Sequence, residues 1–385
     1  KQAFMSRLQE MSEKKKKKAR GRIGTLLHSV SVIINLGITS CYLLAALSPF
    51  ISPATITISA FFGLAFPFFL AAQVGMVIYW VLRGKIVWFI GNALLLLFTW
   101  GTIDTYIPLH RKIKESSIPQ SRIKVMTYNV KGFDFRAHNS ENPNPILKYI
   151  KGSGADIVCL QEAVLSRKSN SRYVGLRTFK KYLPEYRYME LSHAREDRKG
   201  SGLMLLSKYP ILDVHRIPYE SAFNGSTAYT VDIQGRKVLV VNNHLESFRL
   251  TMADGTEYLK MVREGEAAAL SRMMTAKMGP AYALRAVQAD SVSHYIRCSE
   301  SEHVIVCGDF NDTPISYARH KIASGLKDAY SDTGRGPGFT FNQGAFKVRI
   351  DHILYSSGFL AYNCTVDKSV HASDHFPVWC YLVFK

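Results

Sequence analysis

The chain predicts a four-layer α/β sandwich, two sheets packed face to face with helices outside, preceded by three transmembrane helices. Three observations carry that prediction. Apolar stretches over 26–49, 54–82 and 86–109 are each long enough for the roughly 20 residues that cross a bilayer, and Asp104 is the one acidic or basic residue inside them. Beyond residue 121 strand-like runs dominate and helical sequence intervenes, the rhythm of stacked sheets with outer helices. Several of those runs end on carboxylates, amides or imidazoles, so the chemistry collects at rigid strand ends.

Taken in order, residues 1–24 are a basic arm. Its run Lys14 to Lys18 with Arg20 and Arg22 stays solvated by itself, and its position before a span places the N-terminus in the cytoplasm. The membrane region occupies 25–110. The uncharged link over 48–53 then lies outside and Arg83-Gly84-Lys85 inside, so three crossings carry the C-terminal domain to the extracytoplasmic side. Arg111, Lys112 and Lys114 pull weakly the other way. A cleaved signal peptide fits poorly, because its apolar core is shorter and no further spans follow it. Residues 111–121, with Pro119, form a linker. Of the net charge of +19, +10 lies in the first 120 residues and +9 in the rest.

The globular domain spans 122–385. Strands are expected over 123–128, 156–161, 186–190, 202–207, 227–233, 237–242, 304–307, 339–341, 350–355 and 378–384, and helices over 145–152, 176–183, 257–277 and 282–296. The pattern allows a division into two similar halves. Six cysteines show no Cys-x-x-Cys or Cys/His spacing for zinc. Cys159, Cys307 and Cys380 sit in apolar runs as buried thiols, and Cys364 faces Cys380 if the C-terminus forms a hairpin.

At the strand ends stand Asn129, Glu162, His244 with Glu246, Asp309 with Asn311, Asp351, and the pair Asp374-His375. Each has an ordinary structural explanation. Asn and Asp satisfy turn donors, Glu162 starts a helix, His244 sits satisfied at an edge, and Asp351 pairs with Arg349. Taken jointly, the carboxylates and amide form a hard, oxygen-rich set that suits Mg2+ or Mn2+ rather than a thiolate-seeking metal.

In that order, Thr127-Tyr128-Asn129, Gln161-Glu162, Gly200-Ser201-Gly202-Leu203, Asn243-His244-Leu245, Gly308-Asp309-Phe310-Asn311, Ile350-Asp351-His352 and Ser373-Asp374-His375 resemble the motifs of the endonuclease/exonuclease/phosphatase, or deoxyribonuclease I-like, superfamily. The resemblance implies a metal-dependent phosphoric ester hydrolase. It implies that Glu162 ligates the divalent ion, with Asn129 and Asp374 as nearby ligands. Asp309 orients or deprotonates the attacking water and Asn311 binds the reacting phosphate. His375, held by Asp351, and His244 on the opposite side stabilise charge on that phosphate. Two departures stand out. Nuclease members carry a carboxylate where Ser201 stands, which leaves Glu246 or Glu196 to support His244. Abasic-site repair members carry Tyr in place of His244.

Three function classes follow. A phosphodiesterase acting on DNA or RNA is favoured by basic segments such as Arg167-Lys168, Lys180-Lys181 and Arg198-Lys199. A phosphohydrolase acting on a lipid headgroup or inositol phosphate uses the same cations on an anionic surface. An inactive membrane scaffold fits least, since every polar position is present. Between His244 and residue 282 lies an insertion of about thirty residues beside a catalytic loop. In it Tyr258, Val262, Ala269 and Met273 recur at helical spacing, giving an amphipathic helix that packs on the sandwich or acts as a lid or membrane contact.

Overall fold

The computed structural model describes residues 2–139, 141–166, 173–193, 202–221, 224–248, 256–257, 260–261, 263–343 and 346–385. Gln2–Leu47 is one continuous helix, so the basic arm runs without a break into the first apolar stretch. The stretch Arg22–Phe50, which extends through the short turn Ser48–Phe50, is long and apolar enough to cross a membrane. The second and third stretches are each broken. Ile58–Leu64 meets Phe66–Leu82 at 62°, and Ile86–Phe98 meets Trp100–Tyr106 at 60°, so each bent pair is a broken span or a re-entrant loop, and of the three expected transmembrane helices one is a single helix long enough to cross.

These helices expose apolar side chains outside, and among the apolar groups packed between them a few polar side chains pair with one another. Phe98 is 94% exposed, and Phe68, Leu82 and Val87 also point outward. Between the helices, Trp80 Nε1 donates to Asn35 Oδ1 at 2.8 Å, Gln73 Nε2 donates to Asn92 Oδ1 at 2.6 Å, and Tyr42 bonds Thr99. Buried amides that satisfy one another between helices with apolar outer faces fit a hydrocarbon surrounding.

Among the described residues the globular domain has fourteen strands: β1 Ile123–Asn129, β2 Ile157–Ala163, β3 Tyr188–His193, β4 Gly202–Ser207, β5 Ile211–Arg216, β6 Gly225–Ile233, β7 Arg236–His244, β8 His303–Asp309, β9 Lys327–Asp328, β10 Phe341–Gln343, β11 Phe346–Val348, β12 Asp351–Tyr355, β13 Phe359–Val366 and β14 Val378–Phe384. Two six-stranded sheets have the orders β13-β14-β1-β2-β4-β3 and β5-β6-β7-β8-β12-β9. Each is built around one parallel pair, β1 with β2 and β7 with β8. A parallel pair needs a crossover. The helices Pro145–Ser153 and Ala267–Cys298 lie in those two crossovers.

Both faces of the central strands are covered, which is why they read as unbroken apolar runs. Val125, Ile157, Val240, Ile305, Ile353 and Cys380 fill the space between the sheets. Met126, Val158 and Leu206 pack outward with Ile146 and Phe179, and Leu239, Val306 and Leu354 pack with Ala289 and Val292. The expected four layers are therefore present. Cys364 and Cys380 meet as free thiols in the core.

Several expectations are corrected. The described residues 257, 260–261 and 263–264 are helical as expected, but from Ala267 the two expected helices merge into one, Ala267–Cys298, that runs through Pro280; burial of Met278, Ala281, Tyr282 and Ala286 on either side of the proline outweighs one missing N–H donor. Tyr258, Leu259 and Val262 lie outside the described residues. The strand expected at 339–341 starts at Phe341 instead. Edge strand β5 escapes detection because its side chains are largely exposed, and β13 because a bulge between Tyr362 and Thr365 breaks its alternation.

Gly308 fixes how closely β7 and β8 approach. Its φ is +138°, and a Cβ there would collide with the backbone of Asn243, one residue before His244. Gly308→Ala should destabilise the domain by about 3 kcal/mol through overpacking and strain, read as a fall in the chemical-denaturation midpoint. An unchanged midpoint would show that the two strands have room to separate.

Candidate active site

The C-terminal ends of the four parallel strands converge. Asn129 ends β1, Glu162 lies near the end of β2, His244 ends β7 and Asp309 ends β8. Register adds a fifth group, since Asp351 at the start of β12 stands opposite Asp309, itself opposite His244. The sheets are tied at this end by amides. Asn129 Nδ2 donates to Glu162 Oε1 at 3.1 Å and to Asp309 Oδ2 at 3.0 Å. Below it Gln161 Nε2 donates to Asn242 Oδ1 at 2.7 Å, and Asn242 Nδ2 donates to Leu160 O at 3.0 Å.

Two of these side chains are aimed by left-handed backbone. Glu162 has φ +54° at an irregularity in the β2 and β4 pairing, and Asn311 has φ +51°. Such φ values cost non-glycine residues roughly 1–2 kcal/mol each. That cost is met by surrounding bonds: Asp309 Oδ1 accepts from Asn311 N at 2.8 Å, and Asn311 Nδ2 donates to Leu245 O at 2.9 Å. Glu162 keeps 35% of its side chain exposed.

The two histidines flank Asp309. His375 Nε2 and His244 Nε2 each lie 3.7 Å from Asp309 Oδ2, and His244 Nε2 lies 3.8 Å from Glu162 Oε1. His375 Nδ1 is 2.8 Å from Asp351 Oδ2. Burial works against the charged imidazole, but Asp351 and Asp309 overcome it and the Asp351 hydrogen bond adds to them, leaving His375 pushed up to about 10. Burial pushes the Asp309 carboxyl up; His375 opposes this, Asp351 adds to it, and His244 and the Asn129 bond oppose it again.

Arg349 does not serve Asp351. It is fully buried, donates to the carbonyls of Thr105 and Tyr106, and lies over the Tyr330 ring at 4.4 Å. Asp374 faces Lys131, whose Nζ lies 3.1 Å from its Oδ2, while Ser373 Oγ donates to Asn129 O at 2.8 Å. Glu246 Oε2 accepts from Ser221 Oγ at 2.7 Å. Glu196 and Ser201 lie outside the described residues, as do Arg167, Lys168, Arg198 and Lys199.

Sequence reasoning missed Lys131, Gln161 as an inter-sheet tie, and Arg285. The last is buried in the helix Ala267–Cys298, pairs with Asp312 at 3.2 Å and donates to Glu246 O at 2.6 Å. An Arg inside an amphipathic repeat gives no signal of its own. Gln161 and Asn242 adjoin site residues and were legible as motif neighbours only.

A match to the Endonuclease/Exonuclease/phosphatase family covers residues 126–375 and so contains every group just described. The chain belongs to that family. Residues 28–106 match a family described as a domain of unknown function. No curated protein sequence matches the chain. Among solved structures, this family member is similar to truncated TDP2 of Caenorhabditis elegans, at 19% identity over 69% of this chain and 98% of that one, TM-score 0.47. It is also similar to the human Nocturnin catalytic domain, at 18% identity over 69% and 96%, TM-score 0.48. A mannosyl-6-phosphatase from Bacteroides thetaiotaomicron aligns at 19% identity over 68% and 100%, TM-score 0.42.

Because the folded protein holds the His375 proton more tightly than an unfolded chain with the ordinary value of 6.5, its contribution to stability is fully present below about pH 6.5 and is lost as pH rises through about 10. In chelator, NMR of the His375 imidazole should show titration near 10, and Asp351→Asn should move it down toward or below the ordinary value. An imidazole titrating near 6.5 in the parent protein would contradict this geometry.

Proposed function

We propose that the chain is a membrane-anchored phosphoester hydrolase that directs a water at phosphorus with the help of a divalent cation. The observation that carries the reading is His375, a buried imidazole clamped between Asp351 and Asp309 and facing a second imidazole across Asp309. Phosphoryl transfer needs charge neutralisation and positioning more than covalent help. Two imidazoles and an amide around a carboxylate supply both.

In this reading Asp309, with its raised carboxyl, orients the water and takes its proton. His375 enters as the cation, its tautomer fixed by Asp351, and donates from Nε2 to a non-bridging phosphate oxygen. His244 approaches the same phosphate from the other sheet, and Asn311 presents its amide to it. Glu162, Asn129 and Asp374 would hold Mg2+ or Mn2+. The residues fit such an ion: all three offer oxygens, Glu162 is partly open, and Asn129 Oδ1 accepts one bond at 3.2 Å from Lys131 N and has a second lone pair. When bound, the cation neutralises phosphate charge and acidifies water. Membership of the family supports hydrolysis of a phosphoester. It leaves nucleic acid, lipid and inositol phosphates as substrate classes.

The same proposal divides the chain into a basic arm (1–24), a membrane region (25–110), a linker (111–121) and a catalytic domain (122–385), with the N-terminus cytoplasmic and the catalytic domain extracytoplasmic. On this reading each bent pair is one broken span, so the crossings number three, an odd count. The link after the first span and the end of the third both touch the catalytic domain, as through Ser48 Oγ to Ile315 O at 3.3 Å and His110 N to Gly334 O at 3.1 Å. Contacts at both places favour putting them on one side of the membrane.

Asp309→Asn and His375→Ala should each lower turnover of an aryl phosphodiester by about 10²-fold or more without loss of folding, and chelation should abolish it. Wild-type rates in both variants, or full activity in chelator, would refute the assignment. The pH–rate profile should rise on its acid side above the ordinary carboxylate range, as Asp309 ionises, and fall on its alkaline side as His375 loses its proton. A C-terminal reporter that matures only after export should be active; activity of a cytoplasm-only reporter would reverse the orientation.

A further inference from the structure

We infer that the phosphoester this site takes is carried on an amphiphile embedded in the bilayer, because the membrane helices form a collar against the loops that bear the catalytic groups. The inference rests on the hydrolase reading above and names its substrate class.

The collar is the link over 48–57 together with the two short helices Ile58–Leu64 and Trp100–Tyr106. Both short helices turn by about 60° from the longer helices they join. Around the site, the collar touches two loops directly and a third through Tyr282 of the helix Ala267–Cys298. Ser48 Oγ donates to Ile315 O at 3.3 Å, four residues past Asn311. Arg349, two residues before Asp351, holds the carbonyls of Thr105 and Tyr106. Phe61 lies 5.3 Å from Tyr282, which lies 4.9 Å from Phe248, four residues past His244. The guanidinium of Arg285 stacks over Phe248 at 4.2 Å and Tyr282 at 4.6 Å and completes this ladder. Gly63 permits the close fit, since a Cβ there would come within 2.5 Å of Ser48 Oγ.

The collar carries no Lys or Arg, and Asp104 is its one carboxylate. Its outer surface is apolar: Phe50 is 64% exposed, Ile58 56%, and Leu109 just beyond it 69%. A groove for nucleic acid tracks phosphates with cations on its walls, and this wall offers none. Helices that turn off a span where polar chain begins lie at the headgroup level, where apolar faces and aromatic rings are stable. The catalytic loops leaning on that collar thus stand beside the zone that holds lipid phosphates. A lipid reaches them without leaving the bilayer, and its acyl chains supply binding energy remote from phosphorus.

The test uses the full chain in phosphatidylcholine nanodiscs with Mg2+. Bilayers doped with phosphatidylglycerol, a phosphatidylinositol phosphate or sphingomyelin are compared with the water-soluble headgroup ester of each lipid, a DNA and an RNA oligonucleotide, and an aryl phosphodiester. At least one bilayer lipid should be cleaved with kcat/KM about tenfold or more above its own soluble headgroup ester. Equal cleavage of both, preference for an oligonucleotide, or aryl ester turnover with no lipid turnover would overturn the lipid inference and leave the hydrolase reading standing. No turnover of any substrate would overturn both. An independent readout is position: a tryptophan introduced by Ile56→Trp should add fluorescence that lipids brominated near the headgroup quench. Added fluorescence that those lipids leave unquenched would remove the collar from the interface and the inference with it.

Discussion

The site depends on one contact, the Asn129 amide held between Glu162 of its own sheet and Asp309 of the other. Two sheets packed through aliphatic side chains have no strong preference for their exact offset, because dispersion and burial are not directional. A buried amide with two carboxylate acceptors is directional and costly to leave unmet. With Gln161 and Asn242 tied beneath it, the offset of the sheets is set to within a hydrogen bond. The parallel pairs β1/β2 and β7/β8 then place four functional groups at one end.

That end concentrates charge that burial would ordinarily forbid. Asp309 and Asp351 stand opposite each other on adjacent strands and are nearly inaccessible. Alone they would repel. The His375 imidazolium between them converts the repulsion into two attractions, which is why its proton is held so firmly. A similar logic operates behind the site, where Arg285 is paired with Asp312 and Arg319 with Asp328. Buried pairs of this kind add little net stability against apolar replacements, but breaking one leaves a stranded charge. The Arg285–Asp312 pair ties the 309–312 loop to the helix Ala267–Cys298.

The N-terminal helices follow the opposite rule. Their amides point inward and their aliphatic groups outward. In water this arrangement would be unfavourable; in hydrocarbon it satisfies every buried amide and exposes what lipid tolerates. The two halves of the chain are complementary in this respect, and Arg349 joins them through backbone carbonyls at the end of the last helix, where a cation is favoured.

Much of this was legible in the amino-acid order. Periodicity is local, so the apolar stretches, the central strands with their unbroken apolar runs and the polar residues that end them could be read directly. Asn129, Glu162, His244, Asp309, Asp351 and His375 stand out in the amino-acid order as polar strand ends, and the family resemblance also implied that Asp351 holds His375, as it does. Other partner choices were not legible, because they depend on which strand ends meet: Arg349, next but one to Asp351, reaches residues more than two hundred positions away. Edge strands β5 and β13 were hidden because exposed or bulged strands lose the alternation that marks them. The break at Ala65 is marked in the sequence by Pro67 at the start of the next helix, whereas the break at Thr99 has no proline beside it. Sequence determined the parts and their polarity; only the tertiary structure decided which parts face one another, because directional bonds form between groups that the chain itself holds far apart.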